Sequence, residues 1–146
     1  MTFRWHHCSL AVADLAVSVA FYDAMFGFEV QFQANLDTQI AAITDELGLS
    51  CELAQLRQPD SEMTLELIAF SNTSAETINK PTCSGSAHIS FVVDNLDEAL
   101  SKLTDLGGYV LGEIVVFEEG KSVYCREPGG SFIELEELFE HHPFQT

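Results

Sequence analysis

The chain has 146 residues and is 47% hydrophobic, enough for one compact unit with a real core and too apolar for a disordered polymer. Six Lys and Arg stand against 23 Asp and Glu, a formal net charge of −17. That charge argues against nucleic acid and anionic membrane as partners and disfavours a polyanionic substrate. The cysteines, Cys8, Cys51, Cys83 and Cys125, form no CxxC pair. With no charged-then-apolar leader and no apolar run of membrane-spanning length, a cytoplasmic protein with reduced thiols is expected.

Residues 5–12 alternate as a strand, with His7, Ser9 and Ala11 on one face and Cys8, Leu10 and Val12 on the other. The second set is apolar and predicts a covering helix, with Cys8 as a small core residue and Trp5 packing at the strand start. Asp14 is a plausible N-cap for that helix, Val17, Phe21 and Met25 its buried stripe, and Gly27 its C-terminal turn. A strand is expected over 28–32. Residues 40–48 read as a short helix or turn ended by Gly48, expected as a lid over a cavity. Strands follow at 51–56 and 63–70, with Thr64, Glu66 and Ile68 sharing a face opposite Leu65 and Leu67.

Residues 71–86 are rich in Ser, Thr, Asn, Pro and Gly and mark a linker. A strand at 87–93 puts His88, Ser90 and Val92 on one face. Asn95 or Asp94 then caps a helix running through Leu96, Leu100 and Leu103 to Gly107 and Gly108. Strands are expected at 109–114, 121–126 and 131–138, the last two joined by a turn at Glu127-Pro-Gly-Gly. Each half is therefore strand, helix and three strands. The tail with His141 and His142 should be frayed.

The halves repeat one another. His7-Cys-Ser-Leu-Ala-Val-Ala-Asp-Leu and His88-Ile-Ser-Phe-Val-Val-Asp-Asn-Leu share His, Ser at +2, Val at +5 and Leu at +8. Leu65-Glu66-Leu67 is echoed by Ile133-Glu134-Leu135. A His in a strand is, taken alone, more often structural than functional. Repeated halves packed about a pseudo-twofold axis would, however, bring His7 towards His88 and Glu66 towards Glu134. Two carboxylates and two imidazoles converging on one cavity call for a divalent cation. His6, offset by one from His7, reads as structural.

At these residues the chain resembles the vicinal oxygen chelate superfamily, which includes glyoxalase I, methylmalonyl-CoA epimerase, extradiol dioxygenases and the fosfomycin and bleomycin resistance proteins. The segment from His7 to Phe28 is similar to the glyoxalase I signature, departing at Cys8, where a β-branched residue is usual. Glu127-Pro-Gly-Gly-Ser-Phe-Ile-Glu-Leu resembles the ending of the same family. The resemblance covers about residues 4–138. It implies an α+β fold in which two βαβββ modules, about 4–70 and 87–138, form a cupped mixed sheet around a cavity as one domain.

It also implies one divalent metal ion, Zn, Ni, Fe, Mn or Co, held by His7, Glu66, His88 and Glu134. The expected chemistry is that of a metal-dependent lyase or isomerase of the glyoxalase I type. It would act through an enediolate on a small carbonyl or hydroxy substrate, with Glu134, or Glu66 opposite it, as the base. Two alternatives stand beside it: an extradiol dioxygenase using His7, His88 and Glu134, and a small-molecule binding protein without catalysis. A homodimer is expected. Few cations are available for a glutathione adduct, and Arg4, Arg57 and Arg126 are the ones placed to reach a cavity.

Overall fold

A computed structural model describes residues 1–73, 75 and 77–139. The expected tail at His141 and His142 lies outside the described residues. The chain divides into two compact units, Met1–Thr77 and Ile78–Thr146, with the division inside the 71–86 segment.

The first unit runs β1 (Cys8–Ala11), α1 (Leu15–Phe26), β2 (Glu29–Leu36), α2 (Thr38–Thr44), β3 (Ser50–Arg57) and β4 (Leu65–Ser71). Its mixed sheet has the order β1-β4-β3-β2, with β1 parallel to β4 and the other neighbours antiparallel. The Asp14 side chain accepts from the Val17 amide at 3.0 Å and starts α1, and Gly27, at φ 71°, ends it in the left-handed turn that glycine adopts without strain. Leu15, Ser18, Phe21, Tyr22 and Met25 are buried, whereas Val17 is 42% exposed. The expected stripe is thus rotated: Ser18 is small enough to sit against the sheet, and Val17 turns outward.

α1 packs on β3 and β4. Leu10, Ala54, Leu56, Leu65 and Leu67 are buried beneath it. Cys8, on the same face, is only partly buried, and Trp5 is exposed rather than packed, because β1 starts at Cys8 and leaves residues 1–7 outside the sheet. β2 is longer than expected, paired with β3 from Glu29 to Leu36 across a bulge between Val30 and Phe32.

On the opposite face α2 drops Ile40 into a cluster with Leu49, Cys51, Leu53 and Ile68. Asp45, at φ 55°, ends this helix three residues before Gly48. α2 is therefore a packed cover on the same sheet face as Glu66.

The second unit repeats the plan: β5 (His88–Val92), α3 (Leu96–Asp105), β6 (Tyr109–Val110), β7 (Val115–Val116), β8 (Gly120–Arg126) and β9 (Phe132–Leu138). The order is β5-β9-β8-β6, with β7 also on β8 and β5 parallel to β9. Of the expected 109–114 strand only Tyr109–Val110 forms, and a second short piece, Val115–Val116, lies just beyond it. Asn95 caps α3 by accepting from the Glu98 amide at 3.0 Å. Leu96 and Leu103 of α3 are fully buried, as are Cys125, Ile133 and Leu135 of the sheet. Glu127 shapes the β8–β9 turn: its carboxylate accepts from the Gly129 amide and from the amide and hydroxyl of Ser131. The chain is α+β, with three helices and two mixed sheets, each completing a βαβββ module.

Candidate functional site

In each unit the helix takes one sheet face and leaves the repeated His and Glu on the other. Register brings them side by side. In the first unit Ser9 lies opposite Glu66 on β4, and Gln55 of β3 flanks Glu66 from the other side. His7 precedes β1 on the face of Ser9, and its Nε2 lies 3.6 Å from Glu66 Oε1. Both oxygens of this buried carboxylate also accept hydrogen bonds, Oε1 from Ser9 Oγ at 3.1 Å and Oε2 from Gln55 Nε2 at 2.9 Å. The Nδ1 atoms of His6 and His7 are 2.7 Å apart, so one of them carries the shared proton. For His7 to offer Nε2 to a cation, its Nδ1–H must donate to His6. His6 thus touches His7 directly, although it lies outside the repeat.

The second unit repeats the pair and changes its surroundings. His88 Nε2 lies 3.2 Å from Glu134 Oε2. Ser90 is opposite Glu134 on one side and Tyr124 on the other. The Tyr124 ring lies tilted against the imidazole of His88, with the ring centroids 4.8 Å apart and the planes at 49°. The Ser90 hydroxyl donates to Glu136, two residues beyond Glu134. A cleft of about 160 Å³ on this face has Ser122, Glu134 and Glu136 in its wall.

All four residues expected to bind metal therefore fall into two His–Glu pairs, one in each unit. Among the described residues no group of three or more His, Cys, Asp or Glu is gathered as a metal cluster. The pairs themselves suit a cation. Two donors each about 2.1 Å from one ion, at roughly 90–110° to each other, stand about 3.0–3.4 Å apart. The separations of 3.2 and 3.6 Å lie at or near that span, and imidazole nitrogen with carboxylate oxygen is a donor set that first-row divalent ions accept.

Two of the three arginines expected near a cavity are committed to other work. Arg57 donates to Thr64 Oγ1 at 3.0 Å. Arg126 donates to the carbonyls of Gly130 and Ile78 at 2.8 and 3.0 Å and lies over the Phe132 ring. Arg57 and Arg126 follow Gln55 and Tyr124 by two residues in their strands, so the repeat extends through Arg-x-Pro. That signal is present in the sequence. The roles of Ser9, Ser90, Gln55, Tyr124 and Glu136 are not, because they depend on cross-strand register.

A family model described as the glyoxalase/bleomycin resistance protein/dioxygenase superfamily matches residues 4–135. The chain belongs to that superfamily. Among solved structures, a glyoxalase family protein from Bacillus cereus superposes with a TM-score of 0.81 at 26% identity, covering 95% of this chain and 96% of that one. Glyoxalase I from Leishmania major, a trypanothione-dependent enzyme, gives 0.64 at 20% identity, with 93% and 87% covered. The fosfomycin resistance protein FosX from Listeria monocytogenes gives 0.62 at 17% identity, with 96% and 97% covered. The last two likenesses show the fold alone. No curated protein matches the chain. This glyoxalase-fold protein carries its two His–Glu pairs on the sheet faces opposite α1 and α3.

Proposed function

We propose that this glyoxalase-superfamily chain is a metal-dependent lyase or isomerase acting on a small carbonyl or hydroxy substrate through an enediolate. His7, Glu66, His88 and Glu134 are the proposed ligands of one divalent ion. The observation that carries the reading is the recurrence of a His–Glu pair at equivalent positions of both modules, each on the face away from its helix. A related structure of a FosX variant holds Mn(II) and a dihydroxypropylphosphonic acid, which gives that protein both a metal and an oxygen-rich ligand.

When bound, the ion would act as a Lewis acid on substrate oxygens. The chain's own residues then divide the remaining work. Glu66, tethered through both oxygens by Ser9 and Gln55, is suited to stay in place. Glu134 meets only His88 among the described residues and is the better candidate to carry a proton between adjacent substrate carbons. Tyr124 steadies the His88 ring. Glu134→Gln should abolish turnover while leaving metal partly bound, whereas His7→Ala or His88→Ala should each strip the metal. Elemental analysis of anaerobically purified protein decides the matter: about one ion per chain is expected. A metal-free native protein, with His88→Ala unchanged in ligand binding, would sink the reading and leave a binding protein.

The tethering of Glu66 also favours a second reading. With that carboxylate already satisfied, His7, His88 and Glu134 form the set an extradiol dioxygenase needs. Oxygen uptake with catechols after Fe²⁺ loading would select it.

A further inference from the structure

The strands that carry the two carboxylates match position for position, with one exchange that alters their chemistry. Ser9 stands beside Glu66 and Ser90 beside Glu134. Ser9 gives its proton to Glu66, but Ser90 gives its proton to Glu136. The place of Glu136 in the first unit is held by Ile68, two residues beyond Glu66 and buried in the cluster beneath α2. Isoleucine accepts nothing, so in the first unit no other side chain at that position competes with Glu66 for the serine. A serine hydroxyl has a single proton to donate. In the second unit two carboxylates on neighbouring same-face positions of β9 compete for it, and Glu136 holds it. The second tether is missing as well, because Tyr124 occupies the position of Gln55 and turns to His88.

We propose that Glu136 is a positioning residue. By accepting the Ser90 hydroxyl it withholds from Glu134 the hydrogen bond that fixes Glu66, and so leaves the Glu134 carboxylate free to swing between ligand and substrate. This rests on the function proposed above, since mobility in Glu134 matters only if Glu134 moves a proton. The duplicated carboxylates thereby take different duties, one anchored and one mobile, through a residue that acts on Glu134 by way of Ser90.

Three variants test it. Glu136→Ile copies the first unit, Glu136→Gln keeps an acceptor while matching the net charge of Glu136→Ile, and Ser90→Ala combined with Glu136→Ile removes the hydroxyl. The readouts are the crystallographic position of Ser90 Oγ and the Co²⁺ affinity measured by competition with a chelator. In Glu136→Ile, Ser90 Oγ should move within hydrogen-bond reach of Glu134. Co²⁺ should bind about tenfold more tightly than to Glu136→Gln, because an outer donor orienting a ligating carboxylate is worth roughly 10–100-fold in affinity. The double variant should return to the Glu136→Gln value. Equal affinities for Glu136→Ile and Glu136→Gln, or a Ser90 that stays away from Glu134, would overturn the proposal.

Should Glu136→Ile fail to fold, the serines can be compared directly. Ser9→Ala should weaken Co²⁺ binding about tenfold and Ser90→Ala should leave it unchanged, and equal losses would overturn the proposal. If native protein binds no Co²⁺, the proposed function falls, while the position of Ser90 in Glu136→Ile still decides whether Glu136 diverts it.

Discussion

Cys125 lies fully buried on β8, and burial pushes its thiol up to about 11. Burial also raises the thiol of Cys51, whereas Cys83 is exposed. A water-soluble disulfide reagent at pH 8 should therefore label Cys83 first and leave Cys125 unlabelled until denaturant is added. Mass mapping of the labelled peptides checks this. The same scale marks what the sequence makes legible. The pairing of His7 with Glu66 and of His88 with Glu134 is readable because the repeat singles these residues out and because a Glu between two buried aliphatic residues must face away from them. Ser9 and Ser90 also sit in the repeat, yet their opposite behaviour was not legible. It depends on what stands two residues past each Glu, Ile68 in one strand and Glu136 in the other, and on the register that makes them neighbours.

At the level of elements, α3 is held by more than its own cap. Glu137 of β9 accepts from the Leu96 amide at 2.6 Å and pairs with Lys121 at 3.1 Å. The hydrogen bond from the Leu96 backbone, then Lys121, holds its carboxyl below the ordinary value of 4.5. A folded-state pKa below the unfolded one means that the stabilisation is complete above the unfolded pKa. It is lost as the pH falls through the folded pKa. Glu137→Gln should accordingly lower Tm at pH 7, and the gap from native protein should close in the acid range below about 4.5. Calorimetry across that range checks the sign. Element boundaries were less legible than element order. Asp14, Asn95 and Gly27 act where the sequence placed them, because caps are local chemistry. The buried face of α1 departs from the apolar pattern at Val17 because hydrophobicity alone does not register that a small Ser18 allows closer approach to the sheet. α2 ends short of Gly48 because Asp45 takes a left-handed conformation usually left to glycine.

Across the whole molecule, the charge of −17 is spread over a chain with few compensating cations, and two of those, Arg57 and Arg126, are spent on internal hydrogen bonds. Self-repulsion of that size weakens the compact state and is screened by salt over a Debye length of about 10 Å at 0.1 M. Tm should therefore rise between about 10 mM and 0.3 M NaCl, and a flat response would show that the carboxylates are locally neutralised. The module plan was readable at this scale because duplication writes the same pattern twice, and a family match over residues 4–135 agrees with it. The Tyr124 ring, tilted against His88, also gives the second unit an optical reporter. An open-shell ion such as Co²⁺ arriving at that imidazole should quench tyrosine emission in step with loading. Tyr124→Phe should bind the ion with a smaller loss of tyrosine emission, so occupancy can be followed in native protein before any substrate is known.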